Sequence, residues 1–398
     1  ASFPPPSPPW TGWISLTTTQ IGEAAVQEII QMSLSASPFD LFLDDLLNPA
    51  SRWFEWIGRL GHIRETRTAL SGLFGRFVAR AYLTQVWNIQ HFLPLHANIT
   101  EIAPGHDMAA IRVEKGDLPD WIVAPSPSSG WVAIAEAKGS HNAAGPWASL
   151  EAAKKQARRV DIFRGIDRVV TKRIAIATRW AVHGDPKLDQ PWLVVDDPDD
   201  GDVVLEPKEF GHLRRGIALG HYAALASGFG LSATANAIVE AQANPPGQLQ
   251  LPAEDLVLVR EKGEEQMAFG GILARSGVLP LPGAIADGYV QSLRSVFGER
   301  VMFVAVTAEA VLEADRIGLT DEKGPVGMDA DFQWYPDMYR RASPAALTEE
   351  QAVETPPPEP VVSPDTDAQD FWRQRRTAAA GFEFRPLDDL ELARAATA

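Results

Sequence analysis

Two apolar segments of strand length, residues 118–125 and 131–138, constrain the fold of this chain more than any other feature. They read LPDWIVAP and WVAIAEAK, and the short polar stretch 126–130 separates them. Tryptophan and β-branched residues are concentrated in both segments, which is typical of buried strands joined by a turn. The two segments therefore predict a buried β-hairpin.

Charged residues gather at the open end of this hairpin. Asp120 begins the first strand, and Glu136 and Lys138 end the second. In an antiparallel pair these ends lie side by side, and because strand side chains alternate between faces, Glu136 and Lys138 point the same way. Hard divalent cations prefer oxygen ligands, so the candidate metal ligands are Asp120, Glu136 and the backbone carbonyl of Ala137. Lys138 is the candidate for stabilising charge during phosphodiester cleavage.

Pro119-Asp120 followed by Glu136-Ala137-Lys138 resembles the motif of the PD-(D/E)XK nuclease superfamily, over roughly residues 60–200. The resemblance implies a restriction-endonuclease-like fold. It also implies that Asp120 and Glu136 bind Mg²⁺ or Mn²⁺ and that Lys138 orients or activates the attacking water. It says little about which nucleic acid is the substrate.

Three other acidic-x-Lys triplets occur, beginning at Asp185, Glu206 and Asp321. The triplet at Glu206 has proline in its middle position, which is poorly tolerated in a central strand. The other two lie in polar, turn-like surroundings. Only Glu136-Ala137-Lys138 ends an unbroken apolar strand with a Pro-Asp pair upstream, so this triplet is the candidate site.

A helix and another strand are predicted after the hairpin. Apolar residues spaced three and four apart predict a helix over residues 148–164, and residues 171–178 read as a buried strand. The order strand, helix, strand agrees with the core of the superfamily. Its exonuclease-like branches often place a glutamine on this helix near the metal, which makes Gln156 a candidate catalytic residue. A solvated helix position is the alternative for Gln156.

Basic residues on the same helix are candidate contacts to nucleic acid: Lys154, Lys155, Arg158 and Arg159. Lysine and arginine neutralise backbone phosphates, so a basic surface beside the site is where nucleic acid is expected to lie. A solvated helix face is the alternative. His141 follows Lys138 closely, but a loop histidine without a role is the favoured interpretation.

Many nucleases of this fold add an upstream glutamate from a helix that packs behind the hairpin. Three residues are candidates for this role: Glu23, Glu28 and Glu65. The first two lie on a helix predicted over residues 17–30, and the third on a helix predicted over 62–82. On the second helix, Arg76 and Arg80 are alternatives that would face the site and contact phosphate. The choice between these residues stays open.

Composition limits the classes of protein that fit. The chain has no cysteine, which excludes disulfides, thiolate zinc sites and cysteine nucleophiles. No run of about twenty apolar residues predicts a membrane span. Residues 217–239 come closest, but they are rich in small residues and read as helices packed in a core. We expect a cytoplasmic protein without membrane contact. The net charge of −16 requires that contact with nucleic acid be local or aided by a partner.

The predicted fold class is α/β, with an α+β mixed sheet. Four regions are distinguished: a Pro-rich segment and helices (1–60), the nuclease-like core (61–209), a second α/β unit of unknown role (210–345), and a Pro-rich acidic linker and tail (346–398). Within the core, the acidic stretch 196–202 is expected to be a solvated turn. The second unit is predicted to contain helices over 210–243 and 285–297 and strands over 255–260, 266–274 and 301–306.

The sequence thus predicts a Mg²⁺- or Mn²⁺-dependent nuclease, with DNA favoured over RNA on the superfamily resemblance alone. A role in bacterial defence or as a toxin is compatible with this activity. The alternative is a non-catalytic subunit that keeps the fold and binds nucleic acid or protein in a larger complex. The tail, with its aromatic and charged islands, is expected to dock onto a protein partner or onto the chain itself.

Overall fold

The computed structural model describes residues 14–32, 55–57, 64–125, 130–188, 190–197, 199–261, 264–274, 277–280, 301–318, 376–377, 382–386 and 391–394. These residues form helices and mixed sheets of the α+β class, which confirms the predicted class. Three predicted features lie outside the described residues: the Pro-rich start, the helix over 285–297 and the linker that follows residue 345.

The chain up to residue 200 contains three helices and twelve strands among its described residues. In order these are α1 (Thr18–Gln31), β1 (Glu55–Trp56), α2 (Arg64–Trp87), β2 (Ile89–Pro94), β3 (Ile99–Ala103), β4 (Met108–Arg112), β5 (Trp121–Pro125), β6 (Ala133–Ser140), α3 (Trp147–Ala157), β7 (Val160–Arg164), β8 (Asp167–Arg168), β9 (Thr171–Arg179), β10 (Ala181–Val182), β11 (Trp192–Asp196) and β12 (Asp199–Asp200). A 3₁₀ turn, Pro104–His106, lies between β3 and β4.

The predicted hairpin is present as β5 and β6, and it lies inside the principal sheet. The strand order is β11-β9-β6-β5-β2, with β12 paired to β9. Strands β5 and β6 are antiparallel, with Trp121 opposite Ala135, whereas β6 and β9 are parallel, with Glu136 opposite Ala175. Both hairpin strands therefore have neighbours on each side, which explains their nearly continuous apolar sequences.

Alternation along these strands divides the core between two faces. Trp121 and Ala135 belong to the cluster that includes residues of α1 and α2. Ile122 and Ile134 point the other way, toward a smaller sheet of order β3-β4-β7-β8. Helix α3 also packs against β6 and β9, where Ala175 contributes to a cluster with side chains of α3. The hairpin is consequently covered on both faces.

The prediction of a helix through Arg164 is wrong beyond Ala157. Helix α3 ends there, and Val160–Arg164 forms strand β7, antiparallel to β4. Val160 and Ile162 are buried in the smaller cluster, so this segment has the two-residue period of a strand. Val160 fits the helical spacing of the apolar residues by coincidence. Pairing of β7 with the distant strand β4 decided the conformation of this segment. By contrast, the buried strand after it is confirmed as β9.

The acidic stretch 196–202 is not a purely solvated turn. Asp196 ends β11, and Asp199 and Asp200 pair with the start of β9 as strand β12. The Lys172 ammonium lies 3.2 Å from the Asp199 carboxylate, and the Arg168 guanidinium lies 3.1 Å from that of Asp202. These ion pairs join the acidic stretch to the sheet, because the β9–β12 register places Asp199 opposite Lys172.

The remaining described residues form α4 (Pro207–Gly228), α5 (Ser232–Ala243), a 3₁₀ turn (Ala253–Asp255), β13 (Val257–Glu261), β14 (Glu264–Ala274), β15 (Gly277–Pro280), β16 (Val301–Thr307), α6 (Ala308–Asp315), β17 (Arg376–Thr377), β18 (Phe382–Pro386) and β19 (Glu391–Arg394). A second sheet has the order β17-β18-β16-β14-β13-β19, with β15 on β14. Two strands of the tail region, β18 and β19, thus pair with β16 and β13.

Helix α4 joins this part of the chain to the principal sheet. It packs against β2 and β3, and a Cβ at Gly216 would lie 2.0 Å from the carbonyl oxygen of Ile102. The Arg215 guanidinium is buried and pairs with the carboxylate of Asp315 at the end of α6. The small-residue segment 217–239 is therefore helical and largely buried, as predicted. Within the described part of the chain, no helix is both long and apolar enough to cross a bilayer.

The tight packing of α2 against β6 can be tested by a substitution at Gly139. A Cβ at Gly139 would lie 1.8 Å from the carbonyl oxygen of Ser71, so Gly139→Ala forces the helix away from the strand. We expect the free energy of unfolding, measured by urea denaturation, to fall by about 1–3 kcal/mol. Gly72→Ala is the matched control, since a Cβ at Gly72 meets nothing within 4 Å. This control is expected to be neutral or stabilising by about 0.5–1 kcal/mol. Equal stability of the two variants would contradict the close packing.

Candidate active site

Asp120 and Glu136 lie next to each other at the open end of the hairpin. The β5–β6 register places Trp121 opposite Ala135, which brings the preceding Asp120 opposite Glu136. The Asp120 amide donates to Glu136 Oε2 at 3.0 Å, and the Ala137 amide donates to Asp120 Oδ2 at 2.8 Å. Two backbone donors thus fix both carboxylates, and neither depends on a flexible side chain for its position.

Lys138 and Gln156 join the same cluster. The Lys138 ammonium contacts the Glu136 carboxylate and donates to Gln156 Oε1 at 2.8 Å. The amide group of Gln156 in turn donates to the carbonyl oxygen of Leu118 at 2.6 Å. Gln156 is buried, so the alternative of a solvated helix position does not describe it. Its side chain holds the lysine and also ties α3 to the residue before Pro119-Asp120.

Among the three candidate glutamates, Glu28 is the one that is connected to this cluster. Its carboxylate is fully buried and accepts from Trp121 Nε1 at 3.0 Å. Arg76 donates to Glu28 Oε2 from Nε at 3.0 Å and from Nη2 at 2.8 Å, while its Nη1 contacts Asp120. Arg76 therefore bridges Glu28 and Asp120. Glu65 is exposed near the start of α2, and Glu23 is only half-buried on α1.

Arg80 fixes Glu28 from the opposite side. Its guanidinium contacts the Glu28 carboxylate and donates to Gln31 Oε1 at 2.7 Å and to Gln27 Oε1 at 2.8 Å. It also lies 4.3 Å from the centre of the Phe92 ring. Arg76 and Arg80 are the open alternatives for facing the site and contacting phosphate. Arg76 reaches Asp120, Arg80 reaches only Glu28 of the site carboxylates, and both thus contact carboxylates. Sequence reasoning missed this because Glu28 and the arginines lie on different helices.

Burial dominates the electrostatics of the two hairpin carboxylates. It raises the pKa of Asp120, against the opposing effect of Arg76. Burial and then the charge of Asp120 raise the pKa of Glu136 to about 8, although Lys138 opposes the shift. Burial alone would lower the pKa of Arg76, but Glu28 and Asp120 raise it by more. Any added positive charge would therefore stabilise the ionised forms of both Asp120 and Glu136.

The residues present fit a magnesium or manganese ion in part. Asp120, Glu136 and the Ala137 carbonyl provide oxygen donors from adjacent strands, and Mg²⁺ commonly uses one or two carboxylates and retains water. In the described ranges, no group of three or more His, Cys, Asp or Glu side chains is arranged to hold a metal. Arg76 contacts both Glu28 and Asp120, so Glu28 is not a third ligand in this arrangement.

Two of the four predicted nucleic-acid contacts are engaged within the protein. The Lys154 ammonium pairs with Asp196 at 2.7 Å and with Glu151 at 3.1 Å. Arg159 donates to the carbonyl oxygen of Asp117 at 3.0 Å and thereby holds the loop that precedes β5. These two side chains contribute to the structure around the site. Their roles in binding nucleic acid stay predictions.

Lys155 and Arg158 differ from the other two predicted contacts. Lys155 is exposed on α3 and Arg158 is exposed directly after its end, and neither forms an ion pair with the residues that the structure describes. Gln156, which holds Lys138, lies between them in the sequence. The basic surface beside the site is therefore narrower than the sequence suggests. Of the four predicted contacts, it consists of Lys155 and Arg158, which flank Gln156 in the sequence.

Comparison with known proteins yields no relative. No protein-family model matches the chain. No curated protein matches it, and no solved structure matches its fold. A proposal for its function therefore rests on the sequence motif and on the geometry of its own residues.

The raised pKa of Glu136 predicts how stability depends on pH. The folded protein holds a proton on Glu136 up to about pH 8, whereas the unfolded chain releases it near its ordinary pKa of 4.5. The free energy of unfolding therefore falls as pH rises between these values, by at most about 1.4 kcal/mol per pH unit from this group.

The test is urea unfolding from about pH 5 to about pH 8, and Glu136→Gln is expected to flatten the fall. Glu151→Gln is the control, because the Glu151 side chain is 69% exposed and its removal leaves the slope unchanged. A wild-type slope in Glu136→Gln would show that the buried carboxylate does not carry this dependence.

Proposed function

We propose that this protein is a metal-dependent nuclease with a restriction-endonuclease-like core, which hydrolyses phosphodiester bonds of nucleic acid, DNA being favoured. The observation that carries the proposal is the convergence of Asp120, Glu136 and Lys138 at the end of one hairpin, with the lysine held by Gln156. In the nuclease superfamily that this motif resembles, the same residue types perform the chemistry.

Asp120, Glu136 and the Ala137 carbonyl would hold the metal. A bound Mg²⁺ or Mn²⁺ supplies a water that is nucleophilic near neutral pH and stabilises charge on the phosphate. The chain's own contribution is orientation: backbone amides fix the carboxylates, and burial together with the neighbouring Asp120 raises the pKa of Glu136. The ligands are thus positioned before any cation arrives.

Lys138 supplies a second positive charge at the reacting phosphate. Its ammonium is one-third exposed, which leaves part of it accessible to a substrate while Gln156 and Glu136 hold the rest. A fixed cation stabilises the negative charge that develops on the phosphate oxygens, and it also orients an attacking water. The Gln156 side chain, anchored on Leu118, keeps the lysine in this position.

One observation favours the alternative of a non-catalytic subunit. Three carboxylates in the site are balanced by three cations: Glu28, Asp120 and Glu136 by Arg76, Arg80 and Lys138. A site that is already neutral binds a divalent cation less strongly than an uncompensated carboxylate cluster does. Under this alternative the protein binds nucleic acid or a protein partner and cuts nothing in any metal.

The nuclease is tested with labelled single- and double-stranded DNA and RNA in Mg²⁺ or Mn²⁺. We expect cleavage that EDTA and Asp120→Asn abolish. Lys138→Met is expected to slow cleavage by about 10²–10³-fold, the usual cost of losing a charge-stabilising donor. Lys208→Met is the matched control, because Lys208 belongs to the exposed triplet at Glu206 and is expected to retain full activity. Unchanged cleavage in Lys138→Met places the site elsewhere, and a folded protein that cuts no substrate supports the alternative.

Arg76 gives a test that does not depend on activity. Because its guanidinium contacts Asp120, it opposes a divalent cation at the same carboxylate. We expect Arg76→Met to tighten Mn²⁺ binding by about tenfold, equivalent to about 1.4 kcal/mol, as measured by electron paramagnetic resonance of free Mn²⁺.

Arg76→Lys keeps the charge and is the matched control, with affinity expected near that of the wild type. Circular dichroism of both variants verifies the fold. If Arg76→Met binds Mn²⁺ no more tightly than Arg76→Lys, the Asp120 carboxylate is not the metal ligand.

A further inference from the structure

A cleft of about 380 Å³ lies where strand β6 ends, just beyond the candidate active site. It is lined by Arg67, His141, Ala143 and the turn 185–188. His141 follows Lys138 by three residues, and Arg67 lies on α2, the helix that carries Arg76. The cleft is thus connected to the active site through both β6 and α2.

The cleft lies at the carboxyl ends of two parallel strands. Strands β6 and β9 are parallel, and Ser140 and Arg179 pair at their last residues. His141 follows the first of these strands, and the turn 185–188 follows the second after β10. In sheets with parallel strands, ligands bind in the crevice outside these ends.

Two cations of this cleft have no acidic partner. Arg67 and Lys187 form no ion pair with any residue that the structure describes, and Lys187 is exposed. Five basic side chains elsewhere around the sheet are paired with carboxylates, namely Lys154, Arg164, Arg168, Lys172 and Arg173. In a chain of net charge −16, uncompensated cations that line one cleft favour an anionic ligand.

The floor of the cleft is held in place by aromatic residues. Ser71 Oγ lies 3.2 Å from His141 Nδ1 and accepts from Trp180 Nε1 at 3.1 Å. Trp56 stacks on Trp180 at 4.8 Å between ring centres and contacts the His141 ring edge-on at 4.7 Å. The imidazole of His141 is therefore fixed by α2 and by two buried tryptophans. His141 is thus held by specific contacts, and the interpretation that it has no functional role stays a prediction.

Asp185 is the acidic residue among those lining the cleft. Its carboxylate accepts from the Lys187 backbone amide at 3.0 Å, which stabilises the turn. The Asp185 carboxylate thus stabilises the backbone of the turn on which Lys187 lies. The single negative charge of Asp185 is smaller than the two positive charges of Arg67 and Lys187. The cleft therefore still attracts phosphate.

We propose that this cleft binds the phosphate backbone of the nucleic acid on one side of the bond that is cut. The proposal rests on the nuclease function and adds where the substrate lies. Arg67 and Arg76 are nine residues apart on one helix, or about 13.5 Å along its axis. A nucleic-acid strand advances about 3.4 Å per nucleotide, so this axial distance places the cleft's phosphate contacts at least about four nucleotides from the active site.

The experiment measures binding to the full chain without metal. Fluorescence anisotropy with labelled single- and double-stranded DNA in EDTA avoids cutting. We expect Arg67→Glu with Lys187→Glu to weaken binding at least tenfold. We also expect the slope of log Kd against log salt to decrease by about two, because two phosphate contacts are lost. The matched control is Lys208→Glu with Arg316→Glu, which makes the same charge change at two exposed sites away from the cleft.

Three results overturn the proposal, and they are distinguishable from one another. Equal affinity in the cleft variant and the control, with cleavage intact, removes the cleft and leaves the nuclease. Absence of both DNA binding and cleavage in the wild type removes the nuclease and the cleft together. Competition by inorganic phosphate or a mononucleotide as strong as that by DNA shows that the cleft binds a small phosphate instead. If the double Glu variant fails to fold, Arg67→Gln with Lys187→Gln gives the same comparison with a smaller loss.

Discussion

The contact between helix α2 and strand β6 positions both the candidate active site and the cleft beside it. A Cβ at Gly139 would meet the Ser71 carbonyl oxygen, and one at Gly75 would meet the Gly139 amide nitrogen at 2.6 Å, so the two backbones touch. This approach brings Arg76 to the end of the hairpin and Ser71 to His141. The active site and the neighbouring cleft are therefore two ends of one helix–strand contact.

The buried charges near the hairpin hold neighbouring elements together but add little to stability. Moving ions out of water is costly, and a buried ion pair seldom recovers more than that cost. Here Glu28 is satisfied by two arginines and the Trp121 indole, which fixes α1 against α2 and β5. At the hairpin itself, burial and the charge of Asp120 raise the pKa of Glu136 although Lys138 contacts it.

The net charge of −16 is compatible with basic sites at particular places on this protein. Four of the eight cations in residues 154–173 pair with the acidic stretch 196–202, so this segment does not form a continuous nucleic-acid surface. Among the cations without an acidic partner in the described residues are Lys155 and Arg158 near Gln156, and Arg67 and Lys187 in the cleft. An acidic protein with a few uncompensated cations holds a polyanion at one place and repels it elsewhere.

The sequence by itself determined the hairpin and the convergence of Asp120, Glu136 and Lys138, because strand alternation and antiparallel pairing are local consequences of a two-residue period. It also determined that α1 and α2 are helices. Only the tertiary structure decided that Glu28, rather than Glu23 or Glu65, reaches the site. It likewise decided that α3 stops at Ala157 and that the acidic stretch neutralises its basic neighbours. Those outcomes depend on how helices pack and which distant strands pair, which no local pattern encodes.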